Sequence, residues 1–179
     1  MRDPVIFAAL KPILADGFVA SAMMGVHLER GFPAANVGAE DGPALYIAKV
    51  SDRPLGHPRR VERLDVDDPQ GPVFIHEMRQ WMESTFQATA VLRQEASGIT
   101  ASDVANEGRA ILQLDETIDR LREAGLAILR VVEVRNPPEQ NERGQFEFFP
   151  NFDFVLEHEQ VTMRRVPVVT GTEVKIIPV

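Results

Sequence analysis

The chain has 179 residues, 44% of them hydrophobic and 26% charged, which fits one ordinary globular domain with a core of its own. It has no cysteine, which excludes disulfides, thiolate catalysis and cysteine-based zinc sites. A formal net charge of −8 argues against tight wrapping of nucleic acid, which needs clustered Lys and Arg.

The chain starts Met1-Arg2-Asp3-Pro4, with Lys11 and Asp16 soon after. These charges break the apolar run of a signal peptide. The longest uncharged stretch, residues 17–26, is too short to cross a bilayer. The expectation is a cytoplasmic protein at synthesis, with no membrane partner.

A first helix is expected over residues 4–14. Asp3 caps it, Pro4 fits its first turn, and Val5, Ala8, Ala9 and Leu10 form its apolar face. Pro12 should end or kink it, since it lacks an N–H and crowds the preceding turn. Residues 31–43 read as a loop punctuated by glycine and proline, and Ala44 to Val50 as a strand.

Residues 51–71 contain Pro54, Gly56, Pro58, Pro69 and Gly71 and read as a long excursion without secondary structure. Its charge is segregated. Arg53, Arg59, Arg60 and Arg63 come first, and Asp65, Asp67 and Asp68 follow. A solvated loop and an arm reaching a neighbour both fit, and the split charge favours the arm.

Residues 72–93 read as extended, because Phe86, Ala88, Ala90 and Leu92 fall on alternate positions. Trp81, the only tryptophan, suits either a core or an interface anchor. Thr100 and Asp103 have capping-box spacing and open a helix to about Leu112, with Val104, Ile111 and Leu112 facing in. Asp115 is expected to cap a second helix with Ile118 and Leu121 on one side, and Gly125 to end it with positive φ.

Residues 126–135 read as a strand, and 136–144 as a loop. Residues 145–157 read as a strand that places Phe146, Phe148, Phe152, Phe154 and Leu156 on one face, interrupted by Pro150. Short strands at 160–168 and 172–177 close the chain. The expected fold is α+β, a mixed and mainly antiparallel sheet packed by two to three helices. It forms one domain over residues 1–179, with a long loop or arm excursion.

Motifs for phosphate binding and for a nucleophilic serine elbow are missing. His76-Glu77 and His158-Glu159 each begin like a zinc-protease helix, but the second histidine is missing in both. Both histidines are expected to be exposed polar residues on strands. Asp67 and Asp68 could support acid–base chemistry, but in a Pro/Gly-rich segment they read as solvated charge. No catalytic, metal or cofactor residue is assigned. The candidate interface residues are Arg53, Arg59, Arg60, Arg63, Asp65, Asp67, Asp68 and Trp81.

Four segments in order carry a family resemblance. They are the strand Thr85 to Leu92, the helix Ala101 to Glu107, the turn from Leu121 through Gly125 into Arg130, and the strand pair ending Phe152-Asp153-Phe154-Val155-Leu156. Over about residues 85–160 this order resembles the tail-terminator and neck proteins of tailed bacteriophages. The resemblance implies a non-catalytic virion protein, and no cofactor is expected. It would form a homohexameric ring between the head connector and the tail tube, with the sheath a further possible neighbour. DNA would pass through the channel without specific binding, since acidic walls repel it. The alternatives are a non-catalytic cellular adaptor and, less favoured, a small metal-dependent hydrolase around His76 and His158.

Overall fold

The computed structural model describes residues 3–33, 42–69, 71–92, 98–140 and 146–168. Helix α1 spans Asp3–Ala20 and is followed by strand β1, His27–Arg30. Two long strands come next, β2 at Ala44–Asp65 and β3 at Val73–Val91. Helices α2, Ala101–Leu112, and α3, Asp115–Glu123, lead into β4, Leu126–Val131. A small hairpin of β5, Pro138–Gln140, and β6, Phe146–Phe148, precedes the long strand β7, Asn151–Pro167.

The main sheet has the order β1-β2-β3-β7-β4. Only the β1–β2 pairing is parallel; the other three are antiparallel. The fold is therefore α+β with a mixed, mainly antiparallel sheet, as expected from the sequence.

Pro12 does not end α1, which runs on to Ala20. Its buried face is Ile6, Leu10, Ile13, Leu14 and Phe18, a helical stripe that continues beyond the proline. Burial of Ile13, Leu14 and Phe18 outweighs the hydrogen bond that Pro12 forfeits. Val5 and Ala8, expected on the inner face, are exposed. Gly17 allows a close crossing, because a Cβ there would lie 2.5 Å from Ile111 Cγ2 on α2.

Helix α2 carries the expected capping box. Asp103 N donates to Thr100 Oγ1, and Thr100 N donates to Asp103 Oδ2. The N-cap of α3 is Leu114 rather than Asp115, and no side chain caps it. Gly125 has φ of 77°, as its position after α3 requires.

The helices cover one end of the sheet. Their side chains pack on Leu45 and Ile47 of β2, Phe86, Ala88 and Ala90 of β3, and Phe152, Phe154 and Leu156 of β7. Phe86 and Phe154 face each other in register and stack with ring centroids 5.4 Å apart. Of the expected phenylalanine row, Phe152 and Phe154 are buried and Phe148 is exposed. The side chain of Phe146 lies outside the described set.

The expected excursion is not a loop. Strand β2 continues through Asp65, and only a short turn separates it from β3. β7 runs along the far side of β3 to Pro167, so the expected strand at 160–168 is the continuation of β7. Pro54 and Pro58 are tolerated because this part of β2 lies beyond its pairing with β1, which spans Ala44 to Ile47. An outer strand can spare an N–H. A bulge between Leu55 and Arg59, with Gly56 at φ 64°, takes up the register shift. The expected strand at 172–177 and most of the expected loop at 31–43 lie outside the described residues.

Candidate assembly arm

Beyond the helices, β2, β3 and β7 continue as a three-stranded arm. From Ser84 to Val73 it is about 37 Å long at roughly 3.4 Å per residue. All eight candidate interface residues fall on it or on its tip turn.

Near its root, Arg53 pairs with Glu83 across β2 and β3 at 2.6 Å. Trp81 sits between Leu55 and Glu159 in register and is 52% exposed, so it is not a core residue. Arg59, Arg60 and Arg63 lie opposite Arg79, Met78 and Ile75 on the distal half. Asp65 pairs with Val73 at the tip, and its carboxylate accepts from the Asp67 amide. Asp68 is held by Arg165 of β7 at 3.0 Å, a partner that sequence spacing did not suggest.

Alternate arm positions face opposite sides of the sheet. One side shows Trp81, Val161 and Met163; the other shows Leu64, Phe74 and Met78, all of them exposed. His76 lies on the second side, with Nδ1 3.0 Å from Glu62 Oε1. Arg79 pairs with Glu77 and, at 3.5 Å, with Glu159.

His158, expected to be exposed, is 2% exposed at the root of the arm. Ser84 donates its hydroxyl to Asp52 Oδ1 at 2.5 Å and lies 2.9 Å from His158 Nε2. Lys49 binds Asp52 and Asp3, each at 2.6 Å. Burial opposes ionisation of Asp52, but hydrogen bonds from Lys49 and Ser84 outweigh it and hold its pKa below the usual carboxylate value. Burial likewise opposes the Lys49 charge, and its bonds to Asp3 and Asp52 raise its pKa on balance.

The order Asp52–Ser84–His158 is not that of a nucleophilic triad. There the histidine accepts the serine proton; here that proton goes to Asp52, so the imidazole N–H donates to Ser84 Oγ. Ser84 is also fully buried. The cluster is a satisfied polar network that joins α1, β2, β3 and β7. Sequence reading missed it because its members lie far apart in the chain. Among the described residues, no group of three or more His, Asp or Glu side chains is placed to hold a metal, and no helix is long and apolar enough to cross a membrane.

A family model described as E217 gateway protein gp29 matches residues 5–168. The chain belongs to this family. The resemblance of the sequence to phage tail-terminator and neck proteins is thereby borne out at the level of family. The gateway-family match takes in α1 from Val5 onward, the whole arm and every described strand. Among solved structures, the chain is similar to the sheath/tube terminator, in its extended state, of an extracellular contractile injection system. That similarity has 11% identity and a TM-score of 0.46, over 96% of this chain and 63% of the other. The chain thus spans under two thirds of that structure's length. No curated protein matches.

Proposed function

We propose that this chain is a structural protein of the phage neck, a tail terminator that closes as a homohexameric ring between the head connector and the tail tube. The observation that carries the reading is the gateway-family match over residues 5–168. The arm supports the ring. A three-stranded sheet that leaves the helical layer and exposes apolar side chains on both faces has little reason to exist in a lone monomer, and a repeated contact between copies gives it one. The tail tube and sheath are the neighbours expected on the tail side. The net charge of −8 per copy favours a channel along which DNA slides without specific binding. The reading assigns no catalytic step, in keeping with the orientation of the Ser84 hydroxyl toward Asp52.

Locating the chain in intact particles by electron cryomicroscopy tests the proposal. The expected result is six copies at the neck, and heads without joined tails when the chain is missing. One or two copies per particle would sink the ring.

A further inference from the structure

We infer that the arms of neighbouring copies join edge to edge, the distal β2 strand of one arm adding in parallel to the distal β7 strand of the next. The inference rests on the ring reading and specifies the contact that closes it.

The topology sets the direction. β2 and β7 both run antiparallel to β3, so they run parallel to each other. A rotation that closes a ring brings unlike edges together, so the β2 edge meets the neighbouring β7 edge in parallel. A two-fold axis would instead join like edges, antiparallel.

Both edges are open among the described residues. β1 pairs with β2 only at Ala44 to Ile47, and β4 pairs with β7 only at Phe154 to His158. The open edges differ in how they are guarded. Proline and bulges blunt a strand edge against pairing, and β2 has Pro54, Pro58 and the bulge between Leu55 and Arg59 on its proximal half. Its distal segment, Arg59 to Asp65, has neither. The β7 segment Val161 to Val166 is equally free of proline.

Side chains select the register. With the two arms level, Val61 faces Met163 and Leu64 faces Val166, pairing apolar with apolar. Glu62 then faces Arg164. The levels follow from the shared β3 partners Glu77, Phe74 and His76. Arg63 and Arg165 also come level, but Arg165 is already neutralised by Asp68. Sliding β7 by two residues one way sets Arg60 against Arg164 and Val61 against Arg165, and sliding it the other way sets Leu64 against Arg164. Main-chain hydrogen bonds would supply the adhesion and these side chains the choice of partner.

The absence of native cysteine makes the test direct. Val61→Cys and Met163→Cys are introduced together, and assembled particles are oxidised and run on a denaturing gel without reductant. Within one chain the two positions flank Glu77, about 9.6 Å apart as two strand spacings, beyond the roughly 7 Å that a disulfide spans. Any disulfide between them therefore joins two chains. The expected result is a ladder of covalent oligomers from the double variant, while each single variant stays monomeric. A second pair, Arg59→Cys with Val161→Cys, should give the same ladder. Necks that image as complete rings but yield no ladder from either pair overturn the edge contact and leave the ring standing. Dimers from a single variant overturn the parallel arrangement in favour of a two-fold. Cross-links only to a different protein also overturn it. Necks with one or two copies overturn the inference together with the ring.

Discussion

Ser84 and His158 meet at 2.9 Å, hydroxyl oxygen to Nε2, in the interior at the root of the arm. Burial lowers the His158 pKa below its ordinary value of 6.5, and the nearby Lys49 charge adds to the effect, while Asp52 opposes it. The unfolded chain therefore takes up this proton more readily than the folded one. The stability that neutral His158 contributes is complete above about pH 6.5 and is lost as pH falls through the lower, folded value. Chemical denaturation at about pH 7.5 and about pH 5.5 should show a drop in midpoint for the native chain and a smaller one for His158→Gln. Equal slopes would remove His158 as the titrating group.

Phe154 is fully buried and stacks on Phe86. Phe154→Ala should cost about 3–5 kcal/mol, since the surrounding β-sheet and helices cannot collapse into the space left behind. A denaturation midpoint that hardly moves would contradict the placement of this ring in the core.

Gly17→Ala pits two effects against each other. Alanine favours a helix interior over glycine by roughly 0.5–1 kcal/mol, but its Cβ would press on the buried Ile111 at 2.5 Å. Overpacking costs about 1–3 kcal/mol, so net destabilisation is expected. A more stable variant would mean that α1 and α2 separate more easily than their contact implies.

Trp81→Ala should leave the isolated chain within about 0.5 kcal/mol of native stability, because the ring is half exposed on the arm. Incorporation of the variant into particles, measured as copies per neck in competition with the native chain, should fall. Equal incorporation would show that this side of the arm makes no contact that matters.

Much of the fold was legible because its signals are local. The alternation through Phe86, Ala88 and Ala90 marked β3, the Thr100–Asp103 spacing marked α2, and Gly125 marked the end of α3. The arm was misread because Pro54, Gly56 and Pro58 signal a loop unless the strand is known to be an outer one, and that depends on where β1 stops. Pro12 misled for a similar reason, since only the packing of Phe18 and Leu14 shows why the helix continues. Seven of the eight candidate interface residues share the 51–71 segment in sequence, and the structure sets them and Trp81 on the arm and its tip turn. The hold of Arg165 on Asp68 and the burial of His158 beside Ser84 arise from pairing with β7 and have no signal in nearby sequence.

β3 and β7 pass from the helix-covered core into the arm as unbroken strands, paired from Thr89 and Asn151 to Val73 and Pro167. A load pulling the arm tip along its axis therefore meets no joint. Pulling one of these strands past the other puts their ladder in shear, so many hydrogen bonds must yield together; a sideways pull would peel them one at a time. Tension at the tip travels through covalent backbone to the stacked rings of Phe86 and Phe154, which gives the protomer the stiffness of a tie rod along one direction and leaves it compliant across it.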